Sequence, residues 1–449
     1  MPWTKKIERI RPPLLYWSSV FQNLRPLIAL AVCCAVSAHA DDFQGATHLM
    51  PFEEDTIGYS RTLSSGPVAK LQSRINKGEV VLKRDAAYGY LLSVLENLHA
   101  ARSSQMLVFS KTSFQRERID PKHPRALFLG DDVYVGYVPG SPLLEISEAD
   151  PKLGAVFYTL DQTATEKPRF VRNDQCLECH ASSKTMGVPG HLVRSFATDE
   201  SGVVDLSTGI SLVNHRTPLA ERWGGWYVSG THGAQTHRGN LMGKEEFARQ
   251  EREPNFHGNV TKLEPFFDPA PYPAASSDIV ALMVLEHQLH LHNFLTRLYY
   301  ESTIALRQYG HVRYVKSAME GFVKYLLFAE EAPLTARIEG VSSFAREFPA
   351  AGPRDSQGRS LREFDLQTRM FKYPCSYLIY SDAFAALPKE IKTTIYQRLL
   401  EILTGQDKSD DFKKLSTVDR RALLEILADT KLDLPKEWKK AASAAKPKP

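Results

Sequence analysis

Along the chain the hydrophobic positions change period more than once. Residues 43–80 are mixed and polar. Residues 86–105 then carry Leu91, Leu92, Leu95 and Leu98 at helical spacing, which predicts an amphipathic helix. Short runs of β-branched and aromatic residues follow at 105–110, 126–129, 133–138 and 155–160 and predict strands, with Gly130, Asp131 and Asp132 as the turn between the second and third. Further strand-like runs lie at 191–196, 209–215 and 223–230, the first two separated by the turn residues 199–202. A stretch rich in proline, alanine and serine at 262–278 reads as a semi-rigid connector. Beyond it the spacing is helical at 278–308, 311–328, 389–403 and 417–429, with a loop at 349–360. One helix, several strands and then helices alone predict an α+β chain: an N-terminal domain with an antiparallel sheet over residues 41–261, a linker at 262–277 and an all-α domain over 278–440. The lysine- and proline-rich end, 441–449, is expected to be a disordered tail.

The first forty residues belong to neither domain. Lys5, Lys6, Arg9, Arg11 and Arg25 precede the apolar run Leu27–Val36, and Ala38 and Ala40 form a small-residue site of A-x-A type. That order is the one found in a cleavable signal peptide, and the run is well short of the ~20 apolar residues that span a bilayer. Export to the periplasm with removal of residues 1–40 is expected, leaving a mature chain with no membrane span.

Composition is ordinary for a globular chain of 449 residues, with 43% hydrophobic and 24% charged residues. Cleavage would take away five basic residues and one acidic one, leaving 51 of each. The formal charge of +4 is therefore a property of the leader, and no nucleic-acid partner is expected. Cleavage would also remove Cys33 and Cys34. The mature chain then holds Cys176, Cys179 and Cys375, an odd set that makes no disulfide framework.

Two of those three cysteines stand in "VRNDQCLECHAS", residues 171–182. Attachment of haem c needs two thiols to add across two vinyl groups and a histidine directly after the second, whose imidazole becomes an axial iron ligand. Zinc would require further ligands, normally a second Cys or His pair, and there is no second C-x-x-C. A thioredoxin-type dithiol would open a helix in a βαβ setting, which this segment lacks.

The sequence "CLECH" resembles the attachment site of c-type cytochromes. The resemblance implies thioethers at Cys176 and Cys179, iron ligation by His180, one covalent haem c, dependence on a cytochrome c maturation machinery, and a redox partner. The order of helix, strands, CLxCH and a further strand over about residues 80–230 also looks like single-haem PAS-like exported domains, with "RWGGWYVSGTHG" falling outside that pattern.

The group on the other side of the iron separates electron transfer from binding or catalysis. Candidate sixth ligands are His191, His232, His237 and Met186. Six residues from His180 to Met186 span at most about 21 Å, barely enough to pass a porphyrin edge. Arg172, Arg194 and Arg238 are propionate partners by charge. In the helical half, Glu286, His287 and His290 share a helix face at spacings of three and four and are candidates for a second metal or haem contact, or for a polar network. Cys375 reads as a buried, inert thiol. The function expected is electron transfer by an exported mono-haem protein, with a haem-based sensor or oxidoreductase as the alternative.

Overall fold

The β-like runs do form an antiparallel sheet, and its period of two decides what each face meets. The computed structural model describes residues 49–163, 167–254 and 256–444. Six strands follow one another as neighbours: β1 (Met106–Val108), β2 (Arg125–Leu129), β3 (Val133–Tyr137), β4 (Leu143–Asp150), β5 (Gly154–Asp161) and β6 (Phe170–Arg172). A seventh, β7 (Trp226–Tyr227), adds to the outer edge of β1. The turn expected at Gly130–Asp132 is present, closed by the Gly130 N–H donating to the Val133 carbonyl at 2.8 Å.

Alternate residues point to one face: Leu107, Ala126, Phe128, Val133, Val135, Leu144, Ile146, Val156, Tyr158 and Leu160 share one buried cluster. The helices α1 (Pro67–Asn76) and α2 (Leu91–Asn97) bury Val68, Leu71, Leu91, Val94 and Leu95 in it. The intervening residues point to the other face. Of these, Met106, Val108, Leu129 and Tyr134 join the core of the helical half, whereas Arg125, Glu145 and Phe157 border the Cys-x-x-Cys-His segment and Ser147 meets His191.

The helical half is organised by one helix that lies against β5, with α3 (Leu177–His180) and α4 (Gly243–Arg252) preceding it in the chain. This helix, α5 (Ile279–Tyr309), runs without a glycine or proline over 31 residues. Asp278 caps its start, accepting from the N–H groups of Val280 and Ala281, and Gly310 ends it at φ 69°. Almost every side chain from Ile279 to Leu298 is buried, because α6 (Lys316–Leu326), the segment 361–387 and the sheet enclose it on all sides. The helices α7 (Lys389–Leu403), α8 (Thr417–Thr430) and α9 (Lys436–Ala444) complete the helical side. No described helix is long and apolar enough to cross a membrane.

The sheet and the helical region are not separated by a free connector in the structure. Gln105 donates its side-chain amide to the carbonyls of Ala274 (2.6 Å) and Ser276 (2.8 Å). Tyr272 donates to Pro124, and the Ser277 hydroxyl bridges the Tyr227 carbonyl and the Leu107 N–H. Residues 262–277 are thereby fastened to the sheet, and the described residues gather into one unit.

Some elements differ from the sequence pattern. The helix expected over 86–105 is only α2, since Gly89 (φ 60°) and His99 (φ 54°) turn the chain at either end before it enters β1. The runs at 191–196, 209–215 and 223–230 give only two-residue strands. At Gly224 an added Cβ would lie 2.1 Å from the Phe196 carbonyl, so backbones meet there instead of strands pairing at full length. β4, one of the two longest strands, was not expected because Glu145 and Glu148 interrupt its apolar pattern. α9 carries helix as far as Ala444, into the expected tail. The expected signal peptide, residues 1–40, and the last five residues lie outside the described residues.

Candidate functional site

Local structure sets the three motif residues on two consecutive short turns. Asn173 caps a 3-10 turn over Asp174–Cys176 by accepting from the Gln175 N–H, and the chain passes directly into α3. Cys176 therefore stands one helical turn before Cys179 and His180, at spacings of three and four, whereas the adjacent Cys179 and His180 do not face each other. Both cysteines are free thiols, Cys179 exposed and Cys176 half-buried. Burial first, then the neighbouring carboxylates of Glu145 and Asp174, push the Cys176 thiol up to about 11.

The loop after the motif folds back as a clamp. The Gly190 N–H donates to the His180 carbonyl at 2.8 Å, and the His180 ring meets the Gly190 carbonyl through Nδ1 at 3.0 Å. A carbonyl oxygen only accepts, so Nδ1 carries the hydrogen and Nε2 carries the lone pair. Burial pushes His180 down to about 4, with the guanidinium groups of Arg125 and Arg194 adding to the effect, so the ring is neutral near pH 7. Nε2 has no hydrogen-bond partner among the described residues. The ring rests on Phe157, centroid to centroid 4.8 Å.

Within the loop, the Thr185 hydroxyl accepts from the Ser182 N–H (3.0 Å) and donates to the Val188 carbonyl (2.7 Å). Met186 sits at φ 59°, and Ala155 on β5 donates to the Pro189 carbonyl at 3.0 Å. Two residues of α5, one turn apart, reach the same stretch: Asn293 pairs with the backbone of His191, and Arg297 donates to the Met186 carbonyl at 3.0 Å. The helical half thus docks directly on the motif loop.

The four candidate sixth ligands fall in different places. His191 lies in the sheet-facing layer, its Nε2 2.9 Å from the Ser147 hydroxyl and its ring on Tyr134 (4.8 Å) and Phe157 (5.6 Å). It shares the Phe157 ring with His180. The Met186 side chain is buried in the core of the helical half. His232 and His237 contact each other at 4.7 Å, and His237 packs on Trp223. No hydrogen bond or ring contact of either reaches the 176–191 segment. Both ring nitrogens of His232 are buried without a partner.

Of the three arginines, Arg172 is engaged by Asp174 (2.8 Å), by the Tyr59 carbonyl (2.9 Å) and by the Tyr59 ring. Arg238 lies over Phe247. Arg194, beside Cys179 and His180, has no carboxylate partner among the described residues and lies over Phe196.

In α5 the polar residues meet protein groups. Glu286 forms a buried ion pair with Arg222 and accepts from the Trp223 indole at 3.0 Å. His287 joins His215 at Nδ1 and Ser376 at Nε2, both 2.8 Å, while His290 packs on Tyr325. Nε2 of His215 and of His290 is buried without a partner. Among the described residues no three His, Cys, Asp or Glu side chains converge in a way that holds a metal ion.

Comparison of the chain with protein-family models, with curated proteins and with solved structures gives no match. The residues around the motif that the sequence did not nominate are Arg125, Glu145, Ser147, Phe157, Gly190 and Asn293. The strand residues among them belong to one face of the sheet by their period, but nothing local connects that face to residues 176–191.

Proposed function

We propose that the protein is an exported c-type haem protein that carries one electron at a time, with a single haem bound covalently at Cys176 and Cys179 and with His180 as an iron ligand. One observation carries this reading: the Gly190 carbonyl fixes His180 as the neutral tautomer whose Nε2 lone pair is partnerless, beside two unpaired thiols. An axial histidine is held in this way, with the remote nitrogen donating and the ligating one bare.

The other residues fit the group. Cys176 and Cys179 would hold the haem, each adding its S–H across one vinyl C=C with sulfur to one carbon and hydrogen to the other, so that nothing would be released. A thiol raised to about 11 at Cys176 is the reverse of the depressed value an exchanging dithiol needs. Zinc is disfavoured because no three or four His, Cys, Asp or Glu side chains converge among the described residues. Arg194 offers an uncompensated guanidinium for a propionate, and Phe157 supplies an apolar floor under the ring of His180. When bound, the haem iron supplies one-electron chemistry; the chain holds it, excludes water on the Phe157 side and keeps a proton on His180 Nδ1. Periplasmic location, a cytochrome c maturation machinery and an unidentified redox partner belong to the same reading.

A second reading, a small-molecule sensor or an oxidoreductase, has one observation in its favour. His191 is committed to Ser147, so its use as sixth ligand requires that bond to break, which suits an exchangeable position.

The test is a pyridine haemochrome assay on protein produced with a cytochrome c maturation system and extracted to remove free haem. Covalent haem is expected in the wild type and absent in Cys176→Ala/Cys179→Ala; a wild type without covalent haem overturns the proposal. A spectrum of low-spin iron unchanged by CO or NO supports electron transfer, whereas ready binding of either supports the second reading.

A further inference from the structure

The peptide unit between Gly190 and His191 is used at both ends. Its carbonyl oxygen accepts from His180 Nδ1 at 3.0 Å, and its N–H donates to Asn293 Oδ1 at 2.9 Å. The amide of Asn293 closes a second bond by donating from Nδ2 to the His191 carbonyl at 2.6 Å. That pair fixes the orientation of the amide, since a flipped amide would set N–H against N–H and oxygen against oxygen. Asn293 is 2% exposed and stands on α5, 102 residues from His191. Gly190 is held tight against it: an added Cβ would lie 2.4 Å from Asn293 Oδ1 and 3.0 Å from the Thr185 side chain.

Hydrogen bonds in series polarise one another. An oxygen that draws on the His191 N–H pushes electron density toward the Gly190 carbonyl, which then draws more strongly on the His180 N–H. The imidazole gains anionic character, and a more electron-rich axial ligand favours the oxidised iron.

We infer that Asn293 is a positioning residue that sets the reduction potential of the haem through the Gly190–His191 peptide and His180. The inference rests on the proposed haem attachment and adds a role to the helical half: α5 holds both ends of the loop behind the axial histidine, Arg297 at Met186 and Asn293 at His191.

The test is potentiometric titration of haem-loaded, full-length wild type, Asn293→Leu and Asn293→Asp, each first assayed for pyridine haemochrome. Asn293→Leu removes the acceptor and is expected to raise the reduced-to-oxidised ratio at fixed potential about threefold or more, ~28 mV at 59 mV per tenfold. Asn293→Asp keeps the acceptor and is expected to leave the potential at or below that of the wild type. Should Asn293→Leu fail to fold, Asn293→Asp decides alone: its potential, followed from pH 5 to pH 8, is expected to fall as the carboxyl ionises.

Three results overturn the inference: unchanged potentials in both variants, upward shifts in both, or an Asp variant whose potential rises or does not respond to pH. The haemochrome assay separates the two claims, because covalent haem with an unmoved potential sinks only the relay, while wild type without haem sinks both.

Discussion

Glu286, with no solvent exposure, is held between the guanidinium of Arg222 and the indole N–H of Trp223 at 3.0 Å. Arg222 in turn donates to the carbonyls of Thr217 (2.7 Å) and His215 (3.2 Å), so the pair ties the 215–223 loop to the centre of α5. Truncating one member strands the other as a buried charge. Glu286→Ala is expected to cost about 3–5 kcal/mol in urea unfolding, and Glu286→Leu/Arg222→Met to cost less than either single truncation. Additive losses in the double variant would show that the two residues act separately.

Acid should destabilise the fold through its buried histidines. Burial pushes His191, His215 and His287 well below the usual value near 6.5, His237 and His290 down to about 3, and His292 to about 4. Below pH 6.5 the unfolded chain therefore takes up protons that the folded chain refuses, at up to about 1.4 kcal/mol per pH unit for each histidine. Burial also pushes Asp132, Glu286 and Glu331 up to about 7, which opposes the trend down to the ordinary carboxylate range. The histidines outnumber the acids, so urea midpoints should fall from pH 7 to pH 5 and faster below pH 4.5. A flat or rising midpoint over that range would contradict the assignment of neutral buried rings.

The only cysteine outside the motif in the described residues, Cys375, has no solvent exposure, and burial pushes its thiol up to about 12. If, as proposed, the motif sulfurs are thioethers and residues 1–40 are removed, a thiol-specific chromogenic reagent should titrate no group in the native haem-loaded protein and one after denaturation. Rapid native labelling would show the loop around Cys375 opening.

Asp278 does two jobs with one carboxylate. Oδ1 accepts from Val280 (2.9 Å) and Ala281 (3.1 Å), and Oδ2 accepts from the backbone (2.9 Å) and hydroxyl (2.8 Å) of Ser342. Asp278→Ala should lose about 2 kcal/mol, the upper end for a helix cap, while Asp278→Asn, which keeps the Oδ1 cap but cannot accept from the Ser342 N–H, should recover part of it. Equal losses in thermal or urea unfolding would argue that charge, not capping geometry, is what matters there.

The helices at 389–403 and 417–429 were legible almost to the residue, since proline, serine and a 3.6-residue apolar repeat mark their ends locally. The strands flanking Gly130–Asp132 were legible for the same reason. β4 was not, because Glu148 is turned toward α1, accepting from the Val68 N–H, and a partner 80 residues away leaves no trace in the local pattern. Arg194 could be nominated by charge alone, but its difference from Arg172 could not: Arg172 is engaged by Tyr59, more than a hundred residues earlier.

Local spacing determined that Cys176 stands one helical turn before Cys179 and His180, because helical backbone fixes which side chains meet within four residues. It also determined that α5 is a long unbroken helix. Tertiary structure alone decided what stands behind the histidine. The Gly190 carbonyl returns to His180 only when the loop closes, and Asn293 reaches His191 only when α5 packs against the sheet. Contacts across a hundred residues depend on how whole elements dock, and no periodicity in the sequence records that.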